Sequence, residues 1–278
     1  MKKSFIWKLC KEIRRQWWFL LLILLPQLIP PYTSYDYELS EWGAVNAYIL
    51  THPIKFHFSG LFHFFQIIPL ILLILIFFIK RGITRLFSLY VAFSYILVAF
   101  LQSFSISEKY GFAVCVANVI TFLALAGLWL WEAIFPKNKF ELQKIPVWKY
   151  SMIILALFAF WGPVNPLTLM PDFNPVYVFT SGTALSFCMA TPLYLAILSM
   201  YFPHVNKSVF IATGFVGVMM SLGNVVLEFV IYPSYWWIGV LHIPLFVTSL
   251  YSVIISFCEI VGRVKTMATL TLDGNVVI

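Results

Sequence analysis

Long apolar runs broken by short polar or basic punctuation dominate this chain. The stretch "GLFHFFQIIPLILLILIFFI" at 60–79 has neither the two-residue alternation of a half-buried strand nor a polar helix face. It reads as a helix apolar on all sides. A helix needs roughly 20 apolar residues to cross hydrocarbon, and only a helix or a closed barrel satisfies its own backbone there. Runs of this length argue against barrel strands, which need only about ten residues. The pattern predicts spans at roughly 16–32, 58–79, 86–106, 112–135, 150–168, 176–202, 208–232 and 235–260. The expected fold is an all-α integral membrane protein, a bundle of about eight transmembrane helices forming one polytopic unit over 1–278. The loop "PKNKFELQK" suggests halves at 1–140 and 141–262, and 263–278 reads as a short tail with an irregular or strand-like end. The first run is short and carries Pro26, so seven spans plus a re-entrant or interfacial first helix is the alternative.

Composition agrees with this pattern. With 62% hydrophobic and 10% charged residues, the chain has more apolar surface than a soluble fold of 278 residues buries. The net charge of +7 would suggest nucleic acid in a soluble protein, but the basic residues sit in clusters between apolar runs. Topology accounts for the charge without a nucleic-acid partner. With the N-terminus inside, only Lys55 and Lys109 of the 18 Lys and Arg residues fall outside, which predicts cytoplasmic N- and C-termini. The outer segments carry Asp36, Glu38, Glu41, Glu108 and Asp172, and Trp17, Trp18, Trp148, Trp236 and Trp237 read as interfacial belts. The basic start before the first run has no small-x-small cleavage site after it, so it reads as an uncleaved signal anchor.

Polar residues inside the spans carry the candidate chemistry, because an ionisable group in hydrocarbon faces the bundle interior and finds a partner. Gly217, Ser221, Asn224 and Glu228 make one small or polar helix face suited to close packing and interhelical hydrogen bonds. At ~1.5 Å rise per residue from the turn near Pro233, Asn224 and His242 lie at similar depth with Glu228 nearer the surface, so the three can share a layer. The same reckoning puts His63, Gln66, Gln102 and Asn118 in the outer half, joined by Asp172 from an outer loop. Glu132 is expected at the inner boundary, in reach of water or Lys137. A channel or proton path needs polar groups through the full thickness, and this asymmetry counts against both.

Glu228, Asn224 and His242 read either as a structural clasp or as part of an outward-opening pocket where carboxylate and imidazole orient a ligand or exchange a proton. Around Pro192, "TSGTALSFCMATPLY" either packs through its small residues or lines a cavity. Cys10, Cys115, Cys188 and Cys258 show no CxxC or zinc spacing and read as small apolar packers. His57 and His63 are not a helical i, i+4 pair, so no metal site is expected, and no cofactor is named by any motif. The sequence lacks HEXXH, a histidine-box series, and a Ser nucleophile in a GxSx setting. The leading expectation is therefore binding of a small amphipathic ligand (quinone, isoprenoid or lipid), either as a membrane subunit of a larger complex or as a receptor-like module; as a redox anchor it would meet a protein partner on the acidic outer loops of its extracytoplasmic face. The alternatives are a lipid-modifying enzyme using Glu228 and His242 as acid and base, and a small-solute secondary transporter, which needs a second polar layer toward the cytoplasm.

Overall fold

The computed structural model describes residues 20, 22–79, 82–140 and 145–272, with side chains as far as Val261. Among the described residues, five helices are long and apolar enough to cross a membrane, or six if one bent pair counts as a single span. The chain passes through a 3-10 turn at Leu25–Leu28 and strand β1 (Tyr32–Thr33) into helix α1 (Trp42–Thr51). A 3-10 stretch, Ile54–Leu61, leads to α2 (Phe62–Phe78) and α3 (Ile83–Leu101). Strands β2 (Phe104–Ser107) and β3 (Gly111–Val114) follow, then α4 (Val116–Ile134), α5 (Tyr150–Trp161) and the four-residue α6 (Tyr177–Thr180). Helix α7 (Phe187–Tyr201), α8 (Lys207–Val226), a π turn at Leu227–Ile231 and α9 (Trp236–Leu272) complete it.

Six of the expected elements differ. Residues 16–19 and 21 of the predicted first span, with its basic start, Cys10, Trp17 and Trp18, lie outside the described residues; Leu20 and residues 22–24 are helical, and the helix ends in the short 3-10 turn around Pro26. The outer loop at 33–57 contains α1. The predicted outer end of span three and start of span four are instead an antiparallel hairpin, with β1 pairing the far edge of β3. Its three-residue turn closes on Gly111, whose φ of +64° favours glycine. Span five is cut short because Gly162 takes the left-handed conformation (φ +60°) after Trp161 and Pro163 follows it. The tail continues as helix to Leu272 rather than turning irregular, and 273–278 lie outside the described residues.

The predicted span at 176–202 is broken. Its first part, Tyr177–Leu185, meets α7 at 92°, so α7 begins inside the bundle. Apolar on every side, α7 is the central helix, with every residue except Met189 buried. It packs on α3, α5, α8 and α9. Tyr95 and Phe87 of α3 meet Tyr194 edge-on, and the buried hydroxyls are paired: Tyr194 Oη with Ser94 Oγ at 2.9 Å, Tyr95 Oη with Thr191 Oγ1 at 3.1 Å. Because lipid tails are as apolar as the helices, close packing and such bonds hold the bundle more than burial from water does. The tightest seam is between α8 and α9, where Gly214 and Gly217 face Ser252 and Ser249, and Ser252 Oγ donates to the Phe210 carbonyl at 2.7 Å.

The described residues at 135–140, 145–149 and 202–206 gather at one end of the bundle, where Phe140 packs on both Phe87 and Tyr201. Here Glu132 reaches Lys137, as expected, but through that residue's backbone N–H and without access to water. It is fully buried: Oε1 accepts the backbone N–H of Lys137 and of Asn138, each at 2.7 Å, and Oε2 accepts Asn206 Nδ2 at 2.6 Å. The hairpin, the 162–186 segment and the 232–235 turn gather at the other end, which holds the candidate site.

Candidate functional site

The break before α7 organises this site. Ser186 is the N-cap residue but its side chain makes no capping bond, so the first N–H groups of α7 look elsewhere. Gln102, at the end of α3, supplies an acceptor: its Oε1 takes the Phe187 N–H at 2.8 Å. The ammonium of Lys55, buried although it comes from the first outer segment, donates to Ser186 Oγ.

Behind this helix start lies a cavity of about 240 Å³. Gln27, Asn46, Gln102, Asn118, Asn224, Cys115 and Cys188 give it polar walls, while Phe122, Phe187, Met219 and Met220 give it an apolar side. Asn118 is 6% exposed, yet its side-chain amide makes no hydrogen bond among the described residues. Asn46 Oδ1 is likewise buried without a partner. Buried amide atoms are normally paired, so the Asn46 oxygen, on a cavity that the Asn118 amide also lines, marks a place where a ligand or water completes it.

The Glu228 and His242 pair lies beside the cavity, behind Asn224 and Cys188. The π turn carries Glu228 inward, and His242 Nδ1 lies 2.8 Å from its Oε2 and 3.0 Å from the Ile238 carbonyl. Both partners are acceptors, so Nδ1 carries the proton and Nε2 is the nitrogen left for chemistry. Both side chains are buried. Asn224, one turn before Glu228, donates through Nδ2 to Cys188 Sγ at 3.5 Å, and the Cys188 thiol also interacts with the His242 ring.

Of the eight residues singled out from the sequence, five gather here: Gln102, Asn118 and Asn224 on the cavity, with Glu228 and His242 beside it. Three do not. His63 is exposed on α2. Asp172 stays in the 162–176 loop, where it accepts Tyr177 Oη at 2.6 Å and the Asn174 N–H at 3.2 Å. Gln66 is fully buried and latches the segment before α7: its Oε1 accepts the Ala184 N–H at 2.7 Å and its Nε2 donates to Thr183 Oγ1 at 2.8 Å and Ser181 Oγ at 2.9 Å.

Four members of the site escape a sequence reading: Gln27, Asn46, Lys55 and Cys188. Reading Cys188 as an apolar packer is corrected by its contacts with Asn224 and His242. Its one sequence signal is a place two residues after a Ser that opens a helix. Among the described residues, no group of three or more His, Cys, Asp or Glu side chains is placed to hold a metal ion. Chemically the arrangement offers amides for a polar head, aromatic and thioether walls for an apolar body, and a carboxylate-oriented imidazole at a thiol. No protein-family model, curated protein or solved structure matches the chain.

Proposed function

We propose that this protein binds a small amphipathic ligand, of the quinone, isoprenoid or lipid class, in the cavity beside Asn118 and Asn224. The observation that carries this reading is a cavity on which Asn46 Oδ1 is buried without a partner and the Asn118 amide bonds to no described residue, with Phe122, Phe187, Met219 and Met220 on its other side. A ligand with a hydrogen-bonding head and an apolar body matches both faces.

The same reading places the chain in the cell membrane with eight crossings and both termini cytoplasmic. Eight results when the first apolar run, the short α5 and the broken pair before and through α7 are counted with the five long helices. Orientation is supported by the basic residues Arg85, Lys137, Lys139, Lys149 and Lys207, which fall at the Glu132 end, opposite the cavity. The cavity then opens in the outer half, and an extracytoplasmic protein partner would meet the acidic segments around Asp36, Glu38, Glu41 and Glu108.

Transport is the weaker alternative. A second polar layer does exist at the Glu132 end, but there Glu132 is bonded to Asn206 and to two backbone N–H groups and Asn138 Oδ1 accepts the Asn206 N–H at 2.6 Å, which leaves Asn138 Nδ2 as the unpaired donor among the described residues. That is the signature of a clasp.

Native mass spectrometry of the full chain purified in mild detergent tests the reading. A stoichiometric lipid, quinone or isoprenoid is expected in the wild type, with binding weakened about tenfold or more in Asn118→Leu, because the amide's bond to the head is lost. Ligand-free wild type that added ubiquinone, polyprenol and phospholipid all fail to stabilise would overturn it.

A further inference from the structure

We propose that Cys188 is a nucleophile, and that this cavity transfers an acyl group from an amphipathic ester through a thioester on Cys188. The inference rests on the ligand-binding reading above and deepens it by naming the substrate class.

Three observations meet at this sulfur. Its side chain lies on the cavity wall, which the Asn118 amide also lines. It accepts Asn224 Nδ2 and interacts with the His242 ring, whose Nδ1 is held by Glu228 Oε2 at 2.8 Å. Nucleophile, base and orienting carboxylate therefore follow in the order that activated nucleophiles use, although they come from α7, α9 and the π turn. Finally, Cys188 is the second residue of α7, and the Lys55 ammonium reaches into the same place, bonded to Ser186 Oγ and within electrostatic range of Cys188. A helix start and a buried cation both favour the negative charge that develops on sulfur and then on the carbonyl oxygen.

The step balances without an oxidant. His242 Nε2 takes the thiol proton as Sγ bonds to the ester carbonyl carbon. The ester C–O bond then breaks, and His242 returns the proton to the departing alkoxide, releasing an alcohol. In the second half a water or an alcohol gives its proton to His242 as its oxygen bonds to the acyl carbon. The C–S bond breaks and Cys188 regains its proton. Glu228 touches no reacting atom in this sequence and acts as a positioning residue, holding the imidazole tautomer and the imidazolium charge.

The test uses the full chain in mild detergent with p-nitrophenyl palmitate as probe, followed by intact mass and peptide mapping. One acyl adduct is expected, on Cys188, cleaved by neutral hydroxylamine as a thioester is. Cys115, a buried thiol on the same cavity, is the internal control for position and should stay unmodified, while Cys258→Ala, at an exposed thiol away from the cavity, should acylate at the wild-type rate. His242→Gln should slow acylation about a hundredfold. Glu228→Gln should lower the acylation rate constant while leaving the half-saturating ester concentration unchanged, a split that loosened packing would not give. Cys188→Ser tests the nucleophile with little change in volume and should lose the hydroxylamine-labile adduct. No adduct on wild type, equal labelling of Cys115 and Cys188, or an unchanged rate in His242→Gln would each overturn the proposal. Bound lipid in the native mass spectrum of a chain that never acylates refutes the chemistry and leaves the pocket standing. A chain that neither binds nor acylates loses both.

Discussion

Replacing Gln66 by Leu keeps its volume and removes its amide, and the consequence can be worked from its partners. The Ala184 N–H, in a residue 1% exposed, loses its acceptor at 2.7 Å and has no water to turn to. The hydroxyls of Ser181 and Thr183 and the Val178 carbonyl lose a donor, but the hydroxyls keep each other at 3.1 Å, and Thr183 keeps the Phe160 carbonyl. The cost is therefore mainly one orphaned buried donor, about 1–3 kcal/mol, at the upper end because the surroundings are apolar. Three kcal/mol is about a hundredfold in the opening equilibrium of Tyr177–Leu185. Hydrogen-exchange mass spectrometry on peptides covering that segment, in detergent or nanodiscs, should show exchange accelerated by that order there and little changed in α4 or α8. Exchange within twofold of wild type in the segment would refute the latch. A uniform rise through all helices would show that the bundle, and not a local hinge, depends on Gln66. His63→Ala, three residues away on the exposed face of the same helix, should leave exchange unaltered.

Glu132→Gln should lower thermal stability by about 2–4 kcal/mol, because the new amide points donors at Asn206 Nδ2 while charge-assisted bonds to two backbone N–H groups become neutral; an unchanged melting temperature in detergent would contradict the clasp. Gly217→Ala places a methyl carbon 2.0 Å from Ser249 Oγ and should cost about 1–3 kcal/mol, whereas Gly223→Ala, with nothing within 4 Å, should be neutral or slightly stabilising. Equal effects in the two variants would mean that the α8 and α9 seam is looser than its geometry. Trp129→Phe leaves Thr213 Oγ1 without its indole donor at 3.1 Å and should cost about 1 kcal/mol beyond the change in packing, separable by a double cycle with Thr213→Val.

The helices that were readable in the sequence are those whose whole length is apolar, such as α2, α3, α4, α8 and the membrane part of α9, because nothing but burial in lipid or protein explains such runs. The contact between Glu228 and His242 was readable for a related reason: two antiparallel helices joined by a short turn let depth be counted from the turn. The hairpin was hidden although its signal was present. "FSIS" and "GFAV" alternate around "EKYG", but they abut helical runs that absorb them when length is the guide. Gln66 looked like a pocket residue because its partners, 115–118 positions away, lie in a segment whose reversal no local pattern announces. Cys188 was unreadable in principle, since its neighbours Asn224, His242 and Lys55 come from three other elements and spacing along one helix cannot reveal them.

The seam at Gly214 and Gly217 has a consequence for the pair of titratable groups at its tip. Gly217 stands eleven residues before Glu228, roughly 16 Å along the helix axis at 1.5 Å per residue. The gap between α8 and α9 is set there by the absence of two side chains, and from there the π turn at Leu227–Ile231 carries Glu228 beyond the end of α8 while α9 passes Pro244 before reaching His242. The separation of Glu228 from His242 is thus a mechanical inheritance, set in part by glycines that touch neither group. A methyl group at the seam reaches the dyad only through that turn and that proline, which take up part of the displacement.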